Sequence, residues 1–180
     1  RGDVINQGKY EGQAVYCTGI NLTHLYHGQI SYLMYQTREL GFINKIYRGV
    51  HMADDFEDMG TEKLWLGAVD NFAIGGGCQY LLVMDYSVAG KDAYMTLPAR
   101  KEGIIPAAAN MRLPRFVGDR LARQAILNDL RIECDSEVGR MICDEVCEPQ
   151  AVEQTVMAVA DRLTSSGLVS AASNHRCFRI

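Results

Sequence analysis

Ala73-Ile74-Gly75-Gly76-Gly77-Cys78-Gln79 separates two apolar runs, Leu64-Trp65-Leu66-Gly67-Ala68-Val69 before it and Tyr80-Leu81-Leu82-Val83-Met84 after it. The pattern predicts strand, glycine turn, helix. Three glycines let the backbone pass close to a ligand, and the amides of a new helix start point outward as fixed donors for developing negative charge. An oxyanion suits that geometry. A second glycine turn, Thr18-Gly19-Ile20-Asn21-Leu22, follows Ala14-Val15-Tyr16-Cys17, which reads as a short buried strand. If the two strands are parallel neighbours, both turns lie at one sheet edge and the amides of Ile20 and Gly76 converge on one oxygen. Glycine turns after strands are common, so spacing alone leaves this open.

Outward from these turns, residues 1–12 are polar and glycine-containing and read as a loop. From Leu22 to Val50 the apolar positions Leu25, Ile30, Leu33, Met34, Leu40, Ile43, Ile46 and Tyr47 recur at helical spacing, broken by Gly28 and Gly41, which predicts two consecutive helices. Asp54, Asp55, Glu57 and Asp58 lie in a linker without the ligand spacing or central glycine of a calcium loop, and read as a solvated surface. After the helix ending near Met84, Tyr86–Ala89 and Ala93–Met95 read as strands around the turn Gly90-Lys91-Asp92, and Pro98 and Pro106 bracket an irregular segment. Asn110–Val117 and Asp119–Asn128 read as short helices with Asn110 as an N-cap; Ser136 caps a helix to about Val146, and Pro149 opens another to Leu163. Strands alternating with helices predict an α/β fold with no repeat of fixed period.

With 180 residues, 48% of them apolar, and a net charge of −4, the chain is long enough for one domain with a substantial core. Mild acidity and scattered basic residues argue against nucleic acid as a partner. No apolar run approaches the ~20 residues of a membrane span, and the start lacks the order of a signal peptide, so the expected location is cytoplasmic. Arg112, Arg115, Arg120 and Arg123 read as a solvated face or as contacts to an anionic cofactor tail. Cys17, Cys78, Cys134, Cys143, Cys147 and Cys177 show no CxxC spacing and read as free, mostly buried thiols. His24 and His27 form an His-x-x-His pair, but no carboxylate nearby completes a metal triad; no metal is expected.

The order of strand, Gly19-Ile20-Asn21-Leu22, long helical segment, strand, Ala73-Ile74-Gly75-Gly76-Gly77-Cys78, then Leu97-Pro98-Ala99-Arg100-Lys101-Glu102-Gly103-Ile104-Ile105-Pro106 resembles the crotonase (enoyl-CoA hydratase/isomerase) superfamily over residues 14–147. The phrases Gly19 to Tyr26, Phe72 to Gln79, Leu97 to Pro106 and Arg112 to Arg120 are further similar to its cofactor-independent oxygenase branch, which acts on (3,5-dihydroxyphenyl)acetyl-CoA in glycopeptide-antibiotic biosynthesis. The resemblance implies a spiral of ββα units in one domain (core 14–147, helical segment 149–180). It also implies a fragment lacking N-terminal and C-terminal portions, since the chain opens without Met on Arg1-Gly2-Asp3 and closes on Arg179-Ile180.

By that resemblance the amides of Ile20 and Gly76 hold a thioester carbonyl and stabilise the enolate formed when an α-proton leaves. Hydratases of the superfamily carry one glutamate just after the Gly-Gly-Gly-Cys turn and another just after the proline of the following loop; here those places hold Gln79 and Ala99. Glutamine is no carboxylate base and alanine transfers no proton, so alkene hydration loses both its groups. Ile20, Leu22, Ala99 and Ile104 are then expected to line a dry O2 pocket, with Gln79 on a substrate hydroxyl; ordinary core packing is the alternative for the apolar four. Thr18, Gly19, Asn21, Leu22, Thr23, Arg38, Ile105, Pro106, Ala107 and Asn110 are the expected substrate contacts, Arg38 without a fixed register.

The implied reaction consumes O2 and the CoA thioester and releases 3,5-dihydroxyphenylglyoxylate and free CoA without metal, flavin or other cofactor. A homo-oligomer, trimer or dimer of trimers, is implied by resemblance only. Two other readings stand beside it: another crotonase-type isomerase or hydrolase on the same oxyanion hole, and a non-catalytic incomplete copy.

Overall fold

A computed structural model describes residues 8–10, 13–48 and 63–178. The acidic stretch 51–61 lies outside the described residues. Strand β1 (Gly8–Tyr10) pairs antiparallel with β2 (Gln13–Val15), which replaces part of the expected N-terminal loop with a short ribbon. Two helices follow, α1 (Leu22–Tyr26) and α2 (Tyr32–Arg48), divided at Gly28 where φ is +68°. Asn21 caps α1, its Oδ1 accepting from the Thr23 amide at 3.0 Å.

Strands β3 (Leu66–Val69) and β4 (Phe72–Ile74) belong to different sheets. The sequence suggested that Leu64–Val69 leads directly into the glycine turn. Instead Asp70-Asn71, residues suited to a turn, carry the chain from one sheet to the other, and the shorter run Phe72–Ile74 delivers the turn. The same step recurs downstream: β5 (Tyr86–Gly90), a turn, β6 (Tyr94–Thr96). Helix α3 (Gly76–Leu81) follows β4, and α4 (Ala107–Leu127) follows β6 and the Pro98–Pro106 loop. Two successive ββα units result, each adding one strand to each sheet.

Strands β3, β5 and β8 (Glu145–Cys147) are parallel, with Ala68 opposite Val88 and Val88 opposite Glu145. In the second sheet β4 pairs parallel with β6, Ala73 opposite Met95, and β6 pairs antiparallel with β7 (Ile132–Glu133). Cys17 forms a parallel bridge to Ala73 on the free side of β4. Helices α5 (Val152–Thr164) and α6 (Leu168–Cys177) complete the described chain.

Two sequence expectations fail for identifiable reasons. Ser136 opens no long helix: its Oγ accepts from the Gly139 amide at 3.0 Å, but only a 3₁₀ turn at Gly139–Met141 follows, and Glu145–Cys147 is drawn into a ladder with β5. Asn110 is not a cap. It lies inside α4, which begins at Ala107 after Pro106 and donates its first bond from Asn110 N to Pro106 O at 3.2 Å. The predicted break between two short helices survives as a kink at Gly118, where φ is +78° and ψ +160°.

The main core lies where the two sheets, α3 and α4 meet, around Val69, Ala73, Met95, Leu97 and Leu113. Val69, Met95, Leu97 and Leu113, fully buried, each contribute roughly 1.5–3 kcal/mol relative to exposure. Ile43 and Ile46 of α2 pack on Val83 and Ala108, fixing α2 across α3 and α4, while Val152 and Val159 of α5 cover Val88. Among the described residues no helix is long and apolar enough to cross a membrane.

Candidate active site

The two glycine turns touch. Gly19 has φ +88°, and a Cβ there would lie 2.9 Å from the Ile74 carbonyl oxygen and 3.2 Å from the Gly76 nitrogen. A Cβ at Gly77 would meet the Cys17 carbonyl oxygen at 2.5 Å. Only glycine permits both approaches. The strand bonds then decide which amides remain for a ligand. Ile74 N donates to Cys17 O at 2.9 Å and Gly75 N to Thr96 O at 2.9 Å, so the sheet consumes these two. Gly76 opens α3, where a first-turn amide has no intrahelical acceptor. Among the described residues neither the Gly76 nor the Ile20 amide donates to a protein acceptor.

Thr18, Gly19, Ile20, Leu22, Gly76, Gln79, Ala99, Ile104 and Pro106 line one narrow cleft of about 80 Å³, joined by Tyr35, Ile74, Gly75 and Glu102. Residues from four separate segments are thus brought together. Asn21, Thr23, Arg38, Ile105, Ala107 and Asn110 do not line it. Asn21 spends its side chain on capping α1, and Arg38 is exposed on α2. Ile105 is 59% exposed, and only its backbone is engaged. Its amide donates to Tyr32 Oη at 3.3 Å, and its carbonyl accepts from Gln36 Nε2 at 3.1 Å, tying the loop before α4 to α2.

Gln79 is 2% exposed, and its Oε1 accepts from the Ala109 amide at 3.2 Å in the first turn of α4. That bond commits the oxygen end of the amide to the scaffold. Ala99, 2% exposed, sits at the start of the next loop, whose turns are closed by Glu102 N to Pro98 O at 3.0 Å and Ile104 N to Ala99 O at 2.9 Å.

Sequence reasoning missed Tyr35 and Glu102. Tyr35 shares a helix face with Tyr32, a signal available from their spacing, although apolar periodicity drew notice to Leu33 and Met34, which are exposed. Glu102 is the sole carboxylate among the described residues that line the cleft. Burial, and secondarily the charge of Asp129, push its carboxyl above the ordinary value, while Lys101 opposes them.

The remaining candidates stand apart from this cleft. His24 and His27 are exposed at the end of α1, and the described residues contain no cluster of three metal-ligating side chains. Cys78 lies behind the glycine turn, its thiol pushed up to about 12 by burial, so it packs as a neutral group. A larger cavity of about 360 Å³ lies among α2, α4 and α6, with Arg112 stacked 3.7 Å over the Tyr47 ring at its edge. It contains no glycine turn.

The sequence profile of the Enoyl-CoA hydratase/isomerase family matches residues 7–176. The chain is 48% identical over 157 residues to a protein of Amycolatopsis orientalis named (3,5-dihydroxyphenyl)acetyl-CoA 1,2-dioxygenase, covering 87% of this chain and 36% of that one. It is 29% identical to a short-chain-enoyl-CoA hydratase of Clostridium acetobutylicum, covering 74% of this chain and 49% of the relative. The chain therefore spans about a third to a half of the length of these relatives. In structure it superposes on an enoyl-CoA hydratase/isomerase of Cupriavidus metallidurans with a TM-score of 0.70 at 22% identity, over 88% of this chain and 58% of that one. The spiral of ββα units, the profile match along nearly the whole chain and the shared fold place this protein in the enoyl-CoA hydratase/isomerase, or crotonase, family.

Proposed function

We propose that the cleft is the reacting end of an acyl-CoA site and that the protein is a cofactor-free dioxygenase of an arylacetyl thioester, (3,5-dihydroxyphenyl)acetyl-CoA. The observation that carries the reading is the packing of Gly19 against the Gly76 nitrogen, with two amide-bearing turns at one cleft. The thioester oxygen accepts from Ile20 N and Gly76 N, and loss of an α-proton turns the carbonyl into an enolate stabilised by both. One such donor is worth about 3 kcal/mol in a transition state. A cleft of about 80 Å³ is smaller than the ~300–1,000 Å³ of a typical ligand pocket. It fits the acyl carbon and a diatomic gas, not a whole CoA ester.

Ile20, Leu22, Ala99 and Ile104 form the apolar side where O2 resides. Gln79, positioned by the Ala109 amide, hydrogen-bonds a ring hydroxyl. The backbone of Ile105, Pro106 and Ala107 frames the pantetheine arm where α4 begins. The electron-rich enolate reduces O2, and the resulting peroxide closes on the thioester carbon. Coenzyme A then leaves as thiol, and O–O cleavage with loss of the second α-hydrogen gives the 2-oxo acid. The 48% identity to the named dioxygenase supports this substrate, as do Gln79 and Ala99 in place of the hydratase glutamates. We place the activity in antibiotic biosynthesis, in a cytoplasmic homo-oligomer.

The full-length protein is expected to consume O2 and release free thiol in equal amounts from (3,5-dihydroxyphenyl)acetyl-CoA, unaffected by chelators. Absence of uptake refutes the reading. A carboxylate in the cleft, Glu102, favours a second one: a proton-shuttling isomerase on the same oxyanion site. Turnover under nitrogen would select it.

A further inference from the structure

Enolate formation needs a proton acceptor, and the places where superfamily hydratases keep carboxylates hold Gln79 and Ala99. Among the described residues, the other polar side chains lining the cleft are the Thr18 hydroxyl, the Tyr35 phenol and the Gln79 amide, none of them a base of useful strength near neutral pH. Among the described residues that line the cleft, Glu102 alone carries a carboxylate. We infer that Glu102 is the acceptor of the substrate α-proton, an inference that rests on the enolate reading above. In the step the α C–H bond breaks, its electron pair passes into the enolate, and the proton bonds to a Glu102 carboxylate oxygen.

The segment that carries Glu102 is held on several sides. Glu102 N donates to Pro98 O at 3.0 Å and Gly103 N to Arg100 O at 3.1 Å. From α1, the Tyr26 hydroxyl donates to the Glu102 carbonyl at 2.8 Å. Gly103, at φ +72°, takes the left-handed turn that returns the chain to Ile104 and the cleft wall. A base hung from a segment clamped in this way meets the need for fixed orientation. The carboxylate has in effect moved along the same loop, from the place now held by Ala99 to the far side of the turn.

The charges around it tune it in the useful direction. Burial, and after it Asp129 just past the end of α4, disfavour the ionised form, Lys101 favours it, and Arg100 is drawn towards Asp129 at 3.4 Å. A carboxyl above its ordinary value is the stronger base once ionised.

The test uses full-length protein, phenylacetyl-CoA and D2O under nitrogen, with α-deuterium read by mass spectrometry and binding by calorimetry. Wild type is expected to exchange, with a rate that rises with pH through the raised carboxyl value. Glu102→Gln is expected to slow exchange by about 10²-fold or more without changing affinity, and to lose that pH limb. Equal exchange in Glu102→Gln and wild type overturns the inference. Should Glu102→Gln not fold, Glu102→Asp decides: a slower rate with the pH limb kept supports the assignment, and an unchanged rate overturns it. Exchange without O2 uptake removes only the dioxygenase reading. O2 uptake with exchange independent of Glu102 removes only this assignment. A wild type that neither exchanges nor consumes O2 overturns both.

Discussion

Gly19→Ala tests the contact on which the site depends. Alanine there must hold φ near +88°, which costs an L-residue roughly 1–2 kcal/mol. Its Cβ must also sit 2.9 Å from the Ile74 carbonyl oxygen, a backbone atom that can move only with β4. Overpacking of this kind costs typically 1–3 kcal/mol. The sum, about 3 kcal/mol, lowers Tm by roughly 6–12 °C for a chain of this size. The comparison is Gly28→Ala: φ is +68° and nothing lies within 4 Å, so only the backbone strain applies. That variant is expected to lose roughly 2–8 °C. The two differ more sharply in activity. Relief of the Gly19 clash pushes Gly76 N away from Ile20 N, and loss of one aligned donor slows the chemical step by about 10²-fold or more. Thermal melts, together with α-proton exchange per folded molecule of full-length protein, measure both. Wild-type exchange in a folded Gly19→Ala protein, or equal destabilisation by the two substitutions, would refute the reasoning.

Three further outcomes follow from the geometry. Asp85→Ala removes the acceptor of the Trp65 amide, which donates at 2.7 Å, and the carboxylate that pairs with the buried His175 ring of α6, and is expected to destabilise by about 3 kcal/mol in urea denaturation. Tyr32→Phe removes the hydroxyl shared by Ile105 N and Gln36 Nε2. It should cost about 1 kcal/mol and raise KM more than it lowers kcat, because the loop before α4 loses one of its two ties to α2 and keeps only the bond from Gln36 Nε2 to the Ile105 carbonyl. Asp70 has its carboxyl raised by burial and then by Glu153. A carboxyl raised in the folded state binds its proton more tightly there than in the unfolded chain. Its contribution is present below the ordinary value near 4 and lost as pH rises through the raised one. Asp70→Asn should therefore flatten the fall in stability across that window and stabilise the protein at neutral pH, as followed by melts from pH 3 to 7.

Much of this fold was legible where local chemistry has one solution. Three consecutive glycines after an apolar run require a tight turn into a helix, and the period change at Leu22 requires helices. Gly118 breaks α4 where the pattern faltered. Of the residues that line the cleft, Ile20 and Gly76 were legible from the two glycine turns, and Gln79 and Ala99 from the resemblance to the hydratase pattern. Where the reading failed, a distant partner decided. Ser136 begins as a helix cap does, but β5 offers Glu145–Cys147 a parallel ladder that a continued helix could not satisfy. Asn110 has the chemistry of a cap, yet α4 starts earlier because Pro106 already sets its entry.

The sequence by itself determined the order of turns and helices and the absence of carboxylates at Gln79 and Ala99, since these are properties of residues and their neighbours along the chain. Tertiary structure alone decided that Cys17 bridges Ala73 rather than β3, that Gly19 rests on the Gly76 nitrogen, and that Tyr35 and Glu102 face the same cleft. Strand pairing joins residues far apart in the chain, and its register fixes which amides the sheet consumes and which are left for a ligand.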